Sequence, residues 1–254
     1  MKSGDAGKQV MQALQTVQQT APQVDLGYFF QSWSDFYSGA PKQGSHYAAV
    51  IGTGVPEIYI RACGLTPIYL FGGDYCSNKQ ESQFFPPISD PTIQSAVGSL
   101  LSKGPSAIAA VVLSPENTDA LKALAYLRKS GFTVLTLERE IMPQNTMPST
   151  YRDAQMSFLL QLESISRSAP TADRLRQEAA LSTQAHWLLR RLNQSGYPQA
   201  LKAFIRQSVY WVHDREEWVR QIKILLAEAP PPVCGDIRLE GFAELLRHKH
   251  TGGA

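Results

Sequence analysis

"AVIGTGVPEIYIRACGLTPIYLFGG", Ala49 to Gly73, decides the fold. An apolar run, a Gly-Thr-Gly turn, a helix-like stretch, a second apolar run and a Gly-Gly pair follow one another. "YAAVIGTG" reads as a buried strand and "TPIYLFGG" as the next one. Between them "VPEIYIRACG" is a short helix, opened by Pro56 in its first turn and closed by Gly64.

This order begins like a dinucleotide fingerprint and then departs from it. That fingerprint needs GxGxxG, whose third glycine lets the helix pack close on the strand, and an acidic residue about 20 positions on for the ribose. Here Gly52 and Gly54 are followed by Glu57 in the third place, and Pro56 removes an N–H that a pyrophosphate would use. The acidic residue falls at Asp74, behind the Gly72-Gly73 turn. A nicotinamide site is not expected.

Outward from this stretch the pattern repeats. "AIAAVVLS" (107–114) has strand length, and "PENTDALKALAYLRKSG" is a helix capped by Asn117 or Thr118, with Leu121, Leu124 and Ala125 on one face and Gly131 at its end. "FTVLTLE" (132–138) follows as a strand, so 107–138 is most simply a right-handed parallel crossover. The expected fold is α/β, a Rossmann-like or flavodoxin-like parallel sheet layer followed by a helical appendage.

Upstream, residues 1–20 read as a polar helix with Val10, Leu14 and Val17 apolar, and "VDLGYFFQSWSDFYSG" is an aromatic-rich segment expected to cover the sheet or to wall a ligand site. Downstream of the Pro/Asn/Ser/Thr-rich connector "IMPQNTMPST", three amphipathic helices are expected. The first is capped by Ser149 or Thr150. The second carries Leu181, Ala185, Leu188 and Leu192, and the third, from Asp214 with Glu217 at N3, carries Trp218, Ile222 and Leu225. The expected division is 1–44 (N-terminal helix and aromatic segment), 45–148 (α/β domain), 149–230 (helical appendage) and 231–254 (tail).

With 24 basic and 22 acidic side chains, 43% hydrophobic and 18% charged residues, the composition is that of a soluble globular protein. Lys and Arg are scattered, so neither nucleic acid nor a membrane surface is an expected partner. No window approaches the roughly 18 apolar residues of a membrane span, and the N-terminus has no signal-peptide core, so a cytoplasmic chain is expected. Cys63, Cys76 and Cys234 form no CxxC and read as free thiols.

The stretch "VPEIYIRACGLTPIYLFGG" resembles the entry motif of the 2-hydroxyacyl-CoA dehydratase and benzoyl-CoA reductase subunit family, in which Val-Pro-Glu and Ala-Gly-Leu-x-Pro segments lead into a strand ending in Gly-Gly. The resemblance continues through "FFPPISDPTIQSAVGSLLSKG", "AAVVLSPENTDALKALAYLRKSG" and "PTADRLRQEAALSTQAHWLLRRLNQSG", over about residues 50–230. It implies a subunit that pairs with a homologous chain, meets an ATP-dependent activator and handles an acyl-CoA thioester in anaerobic metabolism. It also implies a [4Fe–4S] cluster held by one cysteine of a Cys-Pro segment and another of a Cys-Asp segment. Here Asp90 precedes the proline and Thr118 precedes the aspartate, so both expected thiolates are absent. Cys63 and Cys76 stand as outside candidates for displaced ligands. The second α/β domain expected to follow has no counterpart in the residues after "APPPVCGD".

Open α/β sheets place ligands beyond the carboxyl ends of their strands. The candidate binding residues are therefore Gly52, Gly54, Gly72, Gly73, Ser114, Asn117 and Thr118, with Glu57 and Asp119 as candidate base or orienting acceptor; capping and turn chemistry is the competing reading of each. The histidines do not converge: His186 reads as a helix-surface residue, His213 as a neighbour of a cap, and His248 and His250 as tail. HExxH, GxSxG and GxxxxGK[ST] are all missing.

The leading expectation is a divergent, cluster-less, non-redox member of a hetero-oligomer, with no cofactor in this chain and a [4Fe–4S] cluster in a longer partner with intact cysteines. One alternative is an iron–sulfur radical dehydratase or reductase of acyl-CoA with displaced ligands, and another a stand-alone small-molecule binding module. If the chain is itself active, the resemblance implies an acyl-CoA dehydratase (a lyase) or a reductase working within a complex.

Overall fold

Among the described residues four short strands, β1 (Tyr47–Ile51), β2 (Thr66–Tyr69), β3 (Ala110–Leu113) and β4 (Val134–Thr136), form one sheet in the order β2-β1-β3-β4, every pair parallel. The computed structural model describes residues 12, 14–38, 47–52, 55–70, 88–113, 117–137, 148–166 and 169–231. Because β1 lies between β2 and β3, the connections change direction between β1 and β3. This is the flavodoxin-like order; a Rossmann order would set β3 beside β2.

The chain separates into two compact units, one spanning Lys42–Glu178 and the other joining Gly7–Pro41 to Ala179–Ala254. The first holds the sheet, which is covered on both faces. Ala49, Ile51, Val111, Leu113 and Val134 share a core with Ile93, Ala96, Val97 and Leu100 of α3 (Pro91–Lys103) and Ala120, Ala123 and Leu127 of α4 (Thr118–Lys129). The alternate residues Ala48, Val50, Val112 and Leu135, also buried, point the other way. That face belongs to α2 (Glu57–Ala62) and α5 (Pro148–Ile165), which pack on each other, α5 also reaching β4. Phe158 and Leu162 of α5 and Ile60 of α2 are fully buried. A sheet with two dry faces needs strands apolar on both sides, which is why β1 and β3 read as unbroken apolar runs.

Local chemistry sets the helix ends. α2 starts after Pro56 and ends in a Schellman arrangement: Gly64 at φ +75° sends its N–H to Arg61 O and Leu65 sends its own to Ile60 O. α4 ends the same way, with Gly131 at φ +86°, Gly131 N–H on Arg128 O and Phe132 N–H on Leu127 O. Asn117 caps its start by accepting the Ala120 N–H at 2.8 Å.

Several expectations are corrected. Cys63, which the helix reading of "VPEIYIRACG" puts mid-helix, is the C-cap of α2. The buried face of α4 is Ala120, Ala123 and Leu127, whose two small residues let the helix lie close on the sheet; Leu121 is 54% exposed and Ala125 is exposed. α5 begins at Pro148, which puts Ser149 and Thr150 inside its first turn. α5 also belongs to the sheet unit, so the unit boundary lies at 178/179 where 148/149 was expected.

The second unit is helical. Leu14 and Val17, in the helical stretch 14–20, join Phe29 of α1 (Gly27–Ser38), Ala185, Leu188 and Leu192 of α6 (Ala172–Gln194), Leu201, Phe204 and Ile205 of α7 (Gln199–Ser208), and Trp218, Ile222 and Leu225 of α8 (Arg215–Ala227) in one core. Tyr28, Phe30, Trp33 and Phe36 are packed half-buried against it. The aromatic segment expected to cover the sheet is thus part of the helical core, and the described residues 14–38 fold with the C-terminal helices. Helix α7 was not expected. Pro198 opens it, and its ten residues bury Leu201, Ala203, Phe204 and Ile205. At α8 Asp214 accepts the Glu217 N–H at 3.0 Å as expected, while the Glu217 carboxylate turns to Arg220 and Gln221.

Candidate functional site

The topology brings the carboxyl ends of β1 and β3 side by side at the point where the connections change direction. Ile51 pairs with Leu113, and the chain leaves β1 through Gly52, which is exposed at φ +102°, with no atom within 4 Å of the place a Cβ would occupy. Tyr69, the last residue of β2, pairs with Val50, so β2 ends at the same edge. α3 follows β2 and α4 follows β3, which puts the first turns of both helices at this edge too. Glu57, Asp90, Asn117, Thr118 and Asp119 therefore gather along one rim of the sheet, where open α/β folds hold their ligands.

Glu57 opens α2 and is held from two sides. Arg61, one turn on, donates its Nε–H to Oε1 in an i,i+4 ion pair, and the Tyr69 hydroxyl donates to Oε2 at 3.2 Å. Its side chain retains 19% exposure, and Tyr69 is buried. The result is a carboxylate fixed in place, with one anchor on its own helix and one on the neighbouring strand.

Asp119 is the second carboxylate. Its Oδ2 accepts the backbone N–H groups of Ser89 and Asp90, both at 2.8 Å, and its Oδ1 takes Lys122 Nζ at 3.2 Å. The Asp90 N–H above all, with Lys122 and the Ser89 N–H, outweighs the opposing effect of burial and holds the Asp119 carboxyl below its ordinary range. Asp90 in turn caps α3, its Oδ1 accepting the N–H of Thr92 at 2.8 Å and of Ile93 at 3.2 Å. Four successive donors at the start of α3 are thereby met by two carboxylates. Thr118 and Asn117, beside Asp119, are exposed.

The positions at which the family resemblance places cluster thiolates, Asp90 and Thr118, are thus brought to one rim and linked through the residue next to Thr118. They do not fit a thiolate-held cluster, because neither offers sulfur and Asp90 is engaged by its own helix. Cys63 lies buried at the end of α2; burial pushes its thiol up, against the smaller opposing effect of the Ser166 hydroxyl. Among the described residues no group of three or more His, Cys, Asp or Glu side chains is placed to hold a metal ion. Gly54, Gly72, Gly73, Ser114, Cys76, Cys234, His248 and His250 lie outside the described residues. His186 is exposed, with Nδ1 2.8 Å from Ser182 O, and His213 precedes the α8 cap.

Arg61, Tyr69 and the Ser89 N–H complete these networks and were not singled out from the sequence. The Glu57–Arg61 spacing was a readable signal. Tyr69 and Ser89 had none, since each meets its carboxylate only through the pairing of β1 with β2 or the packing of α3 beside α4.

Among the described residues no helix is long and apolar enough to cross a membrane. No curated protein sequence matches the chain. One family profile matches the chain. That profile covers residues 53–240, well over half of the chain, and by it this protein belongs to the family of the 2-hydroxyglutaryl-CoA dehydratase D-component.

Proposed function

We propose that this chain is a divergent, non-redox subunit of a hetero-oligomer that handles acyl-CoA thioesters, and that it works without a cluster of its own. The observation that carries this reading is at Asp90 and Thr118. Where a family subunit would present two thiolates, this chain presents a helix-capping carboxylate and an exposed hydroxyl. Electron transfer then falls to a longer homologous partner with intact cysteines, served by an ATP-dependent activator.

In this reading the rim beyond β1 and β3 faces the thioester. Gly52 gives the ligand close backbone approach, and Asn117 and Thr118 offer polar contacts at the start of α4; Gly54, Gly72, Gly73 and Ser114 are assigned to the same ligand from the sequence alone. Glu57 is the acidic group assigned to orient the acyl portion, because Arg61 and Tyr69 hold it in place while leaving it partly exposed. Asp119 ties the start of α4 to the start of α3 at this rim through the Ser89 and Asp90 N–H groups.

The test is purification of the full chain from its native host without oxygen, with and without its neighbours in the complex. The expected result is a chain that is colourless and free of stoichiometric iron when isolated, and that co-purifies with a homologous iron–sulfur protein. About four iron and four sulfide per isolated chain would overturn the cluster-less reading. Failure to recover any homologous partner, with unaltered binding of CoA thioesters in the isolated chain, would instead favour a stand-alone binding protein.

A further inference from the structure

The start of α3 and the start of α4 are about thirty residues apart in sequence and belong to different crossovers, yet they are fastened together by one side chain. Asp119 Oδ2 takes both Ser89 N–H and Asp90 N–H at 2.8 Å, and Lys122 steadies the other oxygen. From this we infer that Asp119 is a metal-independent clamp: it holds the segment entering α3 against the start of α4, the tie that a shared cluster would make if residues 90 and 118 were thiolates. The inference rests on the proposed reading of those two positions.

Three features support the clamp. Both N–H groups converge on a single carboxylate oxygen, a pattern that a solvated surface aspartate does not hold by chance, and charge-assisted bonds of this kind are about twice as strong as neutral ones. The Asp119 side chain keeps only 15% exposure although it sits in the first turn of its helix. Asp119 takes the Ser89 and Asp90 N–H groups and Asp90 takes those of Thr92 and Ile93, so the donors that the start of α3 would otherwise offer to a bound anion are met by these two carboxylates together. The exposed Asn117 and Thr118 at the start of α4 remain on the ligand side.

The test is amide hydrogen exchange on the full chain, read at Ser89 and Asp90, with the amides of α8 in the second unit as an internal control for folding. In the unaltered protein a strong chelator is expected to leave exchange at both positions unchanged. Asp119→Ala should speed it by roughly tenfold or more, and Asp119→Asn, which keeps an oxygen acceptor without the charge, by about threefold. Lys122→Met, which removes only the contact to the other oxygen, should speed it by less than Asp119→Asn does. Chelator-dependent exchange at Ser89 and Asp90 would overturn the clamp by showing that a metal makes the tie. Unchanged exchange in Asp119→Ala would overturn it as well. Should Asp119→Ala fail to fold, the Asp119→Asn chain carries the test, and exchange equal to wild type there would refute the inference. Iron analysis is read separately: iron in the isolated chain combined with chelator-insensitive, Asp119-dependent exchange would sink the cluster-less function and leave the clamp standing.

Discussion

The Tyr69 hydroxyl lies 3.2 Å from Glu57 Oε2 and donates to it, so the last residue of β2 fixes the first residue of α2. A hydrogen bond to a charged acceptor in a partly buried setting contributes about 1.5–3 kcal/mol. Tyr69→Phe should lower stability within that range, measured by urea unfolding. Glu57→Gln keeps an acceptor for Tyr69 and gives up the ion pair with Arg61, so it should leave the fold intact and cost about 1 kcal/mol or less. If Glu57 orients the ligand as proposed, the same variant should weaken binding of a CoA thioester far more than it lowers the melting point.

Gly64 ends α2 at φ +75° and closes a Schellman pair of hydrogen bonds. A β-branched side chain in that region costs roughly 1–2 kcal/mol or more. Gly64→Val should therefore lower the thermal midpoint clearly, and a midpoint equal to wild type would contradict this ending of the helix.

Gly196 follows α6 and donates its N–H to Pro230 O at 2.8 Å. A Cβ at this position would stand 2.1 Å from Pro231 O, a backbone atom with little room to give. Gly196→Ala should cost about 1–3 kcal/mol, the usual range for forced overpacking. Removing residues 230–254 together with the substitution should abolish most of that difference, since the atoms it strikes are then gone.

Glu217 accepts from Arg220 and Gln221, and those contacts hold its carboxyl below the ordinary glutamate range. A carboxyl with a depressed folded pKa contributes stability that is present above its unfolded pKa, near 4.3, and lost as pH falls through the folded one. Acid titration of stability should accordingly be less steep below about pH 4 in Glu217→Gln than in wild type. A steeper acid limb in the variant would contradict the assignment.

Local signals in the sequence were the ones that carried through to the fold. Pro56, Gly64, Asn117, Gly131 and Asp214 were readable as helix ends because capping depends on residues within one turn of each other. The strands were readable as apolar runs, but their order was not: the pairing of Ala48–Ile51 with Ala110–Leu113 joins segments some sixty residues apart, and either neighbour arrangement would bury the same side chains. Hydrophobicity alone puts Leu121 on the buried face of α4, whereas close packing on the sheet selects Ala120 and Ala123. The aromatic stretch went to a different core for a related reason: composition shows that Phe29 will be buried and says nothing of which unit receives it. At the rim, Glu57 and Asp119 stood out by chemistry, while their anchors Tyr69 and Ser89 exist only through tertiary pairing.

Gln161 of α5 faces Thr136 on β4, its Oε1 accepting the Thr136 N–H at 3.4 Å and its Nε2 donating to the Thr136 carbonyl at 3.5 Å. One primary amide here imitates the donor and acceptor that another strand would bring. At the opposite border of the described sheet β2 carries Pro67, a residue with no N–H to give. An incoming extended chain would find one border chemically answered and the other unable to reciprocate in full. Templated growth of the sheet from molecule to molecule, the route by which short parallel sheets begin to aggregate, is thereby discouraged at both borders of the described sheet.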